Sequence, residues 1–175
     1  MTRRLLDAST LFSIVCGDSG ALERWGAALH AGLIAGALGQ VFEMSLAHCN
    51  VREQFGRPLG RFQAVQHQLA VMAEQVAAAS IAAEAAFQGG GAQVPALWPA
   101  AMAKARASEA AAEVAALAHA VHGAIGITAE YDLQLYTRRL HEWRTTHGSE
   151  DHWHRRLGQA VLAQAQPLSR FVQGA

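Results

Sequence analysis

Between residues 21 and about 51, Leu22, Trp25, Leu29, Leu33, Val41, Met44 and Ala47 or His48 recur at helical spacing. That spacing predicts one long helix with this set as its apolar stripe. The period returns over residues 61–88 through Val65, Leu69, Met72, Val76 and Ile81. A third helix is expected over residues 99–121, which are rich in alanine and glutamate. A shorter one runs through Leu133, Tyr136 and Leu140, and a last one opens near Ser149 and reaches about Ser169. No two-residue alternation of any length appears, so no strand pattern competes. The chain is expected to be all-α: an up-and-down four-helix bundle with an additional short helix. Residues 1–18 form an N-terminal segment and residues 19–175 the bundle.

Turn chemistry punctuates these helices. Gly17-Asp18-Ser19-Gly20 signals the start of the first, and "GGGAQVPALWP" over residues 89–99 is a glycine-proline linker. "HGAIGITAEYD" ends the third helix at Gly123 and Gly126. Ser149 can cap the last helix, with Glu150 and Asp151 at its positive end. Gly32, Gly36 and Gly39 interrupt the first helix, each at a cost of roughly 1 kcal/mol against alanine. They imply close approach by a ligand or, more plainly, by another helix.

Hydrophobic residues make up 51% of the chain and charged ones only 16%, which excludes disorder and suggests surface covered by another chain. Zero formal net charge gives no field for nucleic acid or a membrane surface. Cys16 and Cys49 match no metal or redox spacing and read as reduced thiols of a cytoplasmic protein. Arg3 and Arg4 precede an apolar stretch, but Asp7 interrupts it and no cleavage pattern follows, so export is not expected. No stretch reads as a membrane span.

"VREQFGRPLGRFQAVQHQLA", residues 51–70, carries more chemistry than a helix connector needs. It holds Arg52, two aromatics (Phe55 and Phe62) and two amides (Gln63 and Gln66), while Gly56 and Gly60 allow tight turning. Taken alone, Arg52 would pair with a carboxylate and Phe55 would plug the end of the bundle.

Three pieces in order, "REQFGRPLGRFQAVQHQLAVMAEQVAAA", "HGAIGITAEYDLQLYTRR" and "HGSEDHW", carry a resemblance over about 130 residues. The chain resembles the C-terminal helical domain of flavin-dependent acyl-CoA dehydrogenases, most of all the smaller subunits of bacterial heteromeric ones. The resemblance implies that the 51–70 turn crosses a subunit interface to the FAD of a neighbouring protomer. It places Arg52 on the cofactor's pyrophosphate, Phe55 against the cofactor and Gln63 near its adenine end. It implies a second cofactor turn at Gly123 and Gly126, although the glutamine common three residues earlier is Ala120 here. Ser149 matches a hydroxyl residue that also touches the cofactor.

The family removes a proton from the acyl α-carbon with a buried glutamate. By the resemblance, that position is His147, an alternative one is Gly26, and the following residue, often arginine, is Ala27. Neither base position holds a carboxylate. His147 could itself act as a base, since imidazole titrates near neutrality. A metal reading of His147, His152 and His154 with Glu150 and Asp151 fits no recognised zinc spacing, and solvated histidines are the plainer reading. The resemblance covers the last of the family's three domains. The chain is thus expected to be a subunit or domain supplying part of an FAD site and oligomer contacts to an acyl-CoA dehydrogenase. The catalytic glutamate would come from a partner chain. The alternative is a non-catalytic helical scaffold or a degenerate acyl-CoA dehydrogenase-like remnant; a third reading, the C-terminal part of a longer protein, changes the boundaries but not the chemistry.

Overall fold

The computed structural model describes residues 19–88 and 94–163. Five α-helices are present among them: α1 (Ser19–Val51), α2 (Gln63–Phe87), α3 (Leu97–His122), α4 (Leu133–Thr145) and α5 (Glu150–Leu162). They form the expected all-α bundle, with α3 at its centre in contact with α1, α2, α4 and α5. Short 3-10 turns at Leu59–Arg61 and Gly123–Ile127 join α1 to α2 and α3 to α4.

A helix with neighbours on all sides must be thin, and α3 is built accordingly. Ala100, Ala103, Ala107, Ala110, Ala111, Ala115 and Ala118 are all fully buried on it. Alanine has the best intrinsic helix propensity and keeps neighbouring axes close. The volume is filled from the other helices by Ile34, Leu38, Met72, Leu133 and Leu140. A smaller cluster joins Ala27, Ala101 and Ala105 to Trp153 of α5. Pro99 falls in the first turn of α3, where a backbone N–H has no helical partner to lose.

Several expectations are corrected. The inward face of α1 is Ala28, Ala31, Ile34, Leu38 and Val41, whereas Leu22, Leu29 and Leu33 point outward. Bulk defines one stripe of this helix, but the small-residue face is the one α3 can approach. Ile81 is likewise 68% exposed. No intrachain backbone closes on the α1 glycines: Gly36 and Gly39 would meet nothing with an added Cβ, and Gly32 would meet only Phe87. A two-residue ladder forms after all, pairing Glu53 with Pro58 and Gln54 with Arg57. Residues 20–51, 63–87 and 97–127 are also long and apolar enough to cross a membrane, contrary to expectation. In α3 it is the alanines packed against other helices that carry this hydropathy. Helix α3 begins at Leu97, and α5 is described to Leu162; Ser169, Cys16 and residues 1–18 lie outside the described residues.

Ala110→Leu should force a large side chain between α3 and its neighbours, lowering stability by about 1–3 kcal/mol. Ala116→Leu, on an exposed part of the same helix, should change it by under about 0.5 kcal/mol. Thermal unfolding of the two variants checks the pair.

Candidate functional site

The first corner of interest lies where α1 ends. Its last residues run into a tight hairpin whose turn residues, Phe55 and Gly56, both have positive φ (55° and 79°). Two positive φ values define the hairpin turn whose twist suits the flanking strands, and a bulky phenylalanine in the first is an outlier. Phe55 gains little burial in return, being 92% exposed with only an edge-on ring contact to Phe62 at 6.1 Å. The Arg57 guanidinium stands 4.1 Å over the Phe62 ring. The hairpin is tied down where the Leu59 amide donates to the Arg52 carbonyl at 2.8 Å. Gly60 sits so close to the end of α1 that a Cβ there would lie 3.3 Å from the Cys49 carbonyl.

Arg52 is exposed and makes no side-chain hydrogen bond or ion pair among the described residues, and Phe55 plugs nothing. The plain structural roles expected for both are therefore corrected. Arg52 instead lines a cleft of about 710 Å³ with His48, Val51, Glu53, His122, Ala124 and Ile125. Two turns some seventy residues apart in sequence thus share one cavity. Gly123, at φ 63° and ψ −143°, adopts a backbone that favours glycine, and a Cβ on it would meet nothing. Its own amide donates to the His119 carbonyl. Gln63 is exposed at the first turn of α2, outside the cleft lining. Ala120 is exposed near the end of α3.

Sequence reasoning missed the histidines of this cleft. His48 and His122 stack at 4.4 Å, with Tyr131 5.3 Å from His122. His122 is buried and donates from Nδ1 to the Ala118 carbonyl at 2.8 Å. Burial holds both imidazoles below their ordinary value, and for His48 the charges of His122 and Arg52 add to it. The i−4 spacing of His48 from Arg52 and the place of His122 beside Gly123 were the available signals.

The second corner joins the two positions where a carboxylate was looked for. His147 lies in the turn between α4 and α5 with φ +56°, and its ring rests directly on Gly26 of α1. A Cβ at Gly26 would come within 2.4 Å of His147 Nδ1, so the two positions compete for one space. The His30 ring is 4.9 Å from that of His147, and His30 Nδ1 donates to the Gly26 carbonyl at 2.9 Å. Trp153 Nε1 donates to the His147 carbonyl at 2.9 Å. Lys104, fully buried on α3, donates to Ser108 Oγ and to the carbonyls of Arg144 and Gly148, each at 2.8 Å. Burial brings its pKa down to about 8. His147 is pushed below its ordinary value by burial and then by the charges of His30 and Lys104.

The residues once weighed as a metal set diverge. His152 pairs with Glu23 at 2.9 Å, His154 with Glu109 at 3.4 Å, and Glu150 with Arg144. Burial alone would raise Glu23, but hydrogen bonds from His152 and Arg156 outweigh it and hold the carboxyl low. Ser149 occupies the N-cap position of α5 but makes no side-chain capping bond, contrary to expectation. Ala27 is buried against Ala101, Ala105 and Trp153, a packing position.

Two predictions follow from this geometry. Gly26→Ala alone should stabilise α1 far less than the roughly 1 kcal/mol that alanine gains over glycine, or destabilise it. In a His147→Ala background the same change should recover that gain, and denaturation of the four-member cycle measures the coupling. Because His48, His122 and His147 bind protons less readily folded than unfolded, stability should be full above about pH 6.5 and fall with pH below it. Urea titrations between pH 7 and 5 check the sign, and His122→Phe should flatten the slope.

Residues 21–162 match the model of the acyl-CoA dehydrogenase C-terminal domain. Among curated proteins, the chain is 36% identical over 141 residues to the acyl-CoA dehydrogenase IpdE2 of Mycolicibacterium smegmatis, covering 81% of this chain and 44% of that one. It is 40% identical over 135 residues to the acyl-CoA dehydrogenase FadE34 of Mycobacterium tuberculosis, covering 75% and 18%. The ChsE4–ChsE5 complex of M. tuberculosis has a chain that superposes with a TM-score of 0.77 at 27% identity, over 83% of this chain and 40% of that one. Butyryl-CoA dehydrogenase of Megasphaera elsdenii gives 0.73 at 26% identity, over 80% and 37%. The chain thus spans less than half the length of each of these relatives. A domain model covering most of the chain, together with a bundle of the same shape, shows that it belongs to the acyl-CoA dehydrogenase family through that family's C-terminal helical domain.

Proposed function

We propose that this chain is a subunit or domain of a flavin-dependent acyl-CoA dehydrogenase, supplying part of an FAD site and oligomer contacts. The observation that carries the proposal is the cleft shared by Arg52 and by Ala124 and Ile125 of the turn after α3, with Arg52 unpaired among the described residues and Phe55 exposed three positions along. A planar, permanently charged guanidinium suits a pyrophosphate, and an exposed aromatic ring suits the flat face of a nucleotide. Those residues fit the cofactor; Glu53 on the same cleft bears negative charge and must turn away from a phosphate. Arg52, Phe55 and the Gly123 turn would hold FAD, with Gln63 and Ser149 at its edges. When bound, the flavin supplies the hydride acceptor for α,β-desaturation of an acyl thioester.

Neither Gly26 nor His147 supplies a carboxylate base, and the two positions fill one another's space, with the charges of His30 and Lys104 acting on His147. The proton-accepting glutamate in this reading belongs to a partner chain. A heteromeric pairing is supported by the similarity to a chain of the ChsE4–ChsE5 complex. The outward set of Leu22, Leu29 and Leu33 gives such a partner an apolar surface.

In the assembled complex, Arg52→Ala should lower bound flavin, read by its visible absorbance, while the melting temperature barely moves. A lost charge-assisted contact to phosphate costs about 1.5–3 kcal/mol, against under about 1 kcal/mol for an exposed arginine's structural role. Unchanged flavin with a large fall in melting temperature would favour a helical scaffold instead. His147→Ala should leave turnover within a fewfold, whereas loss of a working base costs about 10²- to 10⁴-fold.

A further inference from the structure

Lys104 is a fully buried cation with no carboxylate in hydrogen-bond reach: its acceptors are one hydroxyl and two carbonyls. The carboxylates around it are engaged elsewhere. Glu23 of α1 holds His152 and Arg156, Glu150 of α5 holds Arg144, and Glu109 of α3 holds Arg106 and His154. Glu150 offsets part of the charge of Lys104 at longer range, and the field of that cation still reaches His147. His147 stands in that field beside Gly26, with its ring 4.9 Å from that of His30. His30 commits Nδ1–H to the Gly26 carbonyl, which leaves Nε2 as the atom it offers. Neither ring is paired with a carboxylate among the described residues. His147 is exposed and His30 partly so, so a ligand can reach both.

We infer that the His30–His147 corner, backed by Lys104, is an anion site that receives a carboxylate group of a bound ligand. The polarity is the reverse of a carboxylate side chain at position 26 or 147. Burial and the charges of His30 and Lys104 hold His147 low. An arriving carboxylate favours the protonated imidazole, so His147 takes up a proton from solvent and becomes a donor to it. The inference rests on the proposed function only for the ligand's identity, an acyl thioester bearing a second carboxylate. Binding itself is tested on the chain alone, so the two can fail separately.

The experiment follows the imidazole ¹⁵N and ¹H resonances of the full chain by NMR, assigned through His30→Gln and His147→Gln. Succinate should shift both rings saturably and raise the His147 midpoint by about one pH unit, a tenfold change in proton affinity. Succinamide, neutral and of similar shape, should do neither. Lys104→Met, which keeps much of the stem but removes the charge, should weaken succinate binding about tenfold or more. Should that variant fail to fold by circular dichroism, His147→Gln carries the test, with the His30 response falling by a similar factor. Succinyl-CoA should also perturb the pair at lower concentration than butyryl-CoA. The inference is overturned by the absence of a saturable shift, by an equal response to succinamide, or by exposed His141 and His154 responding as strongly. No preference between the two acyl-CoA probes would overturn the carboxylate as the group recognised.

Discussion

Helix α3 sets the terms on which everything else is placed. It touches the four other helices and allows their close approach with alanine on its buried faces, leaving one strip through Met102, Glu113, Ala116 and Ala120 open to water. Thin packing brings helix axes together, but it leaves little room for any polar group. Lys104, Ser108 and His122 are the buried polar groups of α3, and Lys104 reaches across to the end of α4 and the turn before α5. The position of His147 follows from that reach, since Gly148 is held by Lys104 while Trp153 holds the His147 carbonyl. The site in this corner is therefore a consequence of how the central helix is buried.

The two corners differ in chemical character. One is a half-open cleft whose wall is contributed by α1's last turn and by the glycine turn after α3, with a free guanidinium at its edge. The other is a corner beside the buried Lys104 in which an imidazole occupies the space that a side chain at Gly26 would need. The proposals made for them, a phosphate-bearing cofactor at the first and a carboxylate at the second, follow from that difference. A single bundle can serve both, because the ends of helices, where backbone groups and side chains leave the core, are where it has polar freedom.

Helix existence, order and approximate ends were legible, because period and turn chemistry are local properties. Arg52 and the turn at Gly123 were also legible as motifs, and the structure brings Arg52 onto one cleft with Ala124 and Ile125 of that turn while leaving Gln63 outside it. The inward face of α1 was not legible. Leu22, Leu29 and Leu33 form the stronger pattern on paper, but helix-to-helix distance selects the alanine face, and distance is not a property of one helix. The four-residue ladder at the hairpin was too short to leave a periodic trace.

What the sequence determined by itself is the helical class, the turn chemistry at residues 51–70 and 122–126, and the lack of a carboxylate at positions 26 and 147. Tertiary structure alone decided that those last two positions touch, that His48 and His122 stack inside the cleft, and that Lys104 is sealed beneath His147's turn. These contacts join residues separated by 121, 74 and 44 positions, respectively. Periodicity reports which residues share a face of one helix; only the packing of one helix on another determines which faces meet.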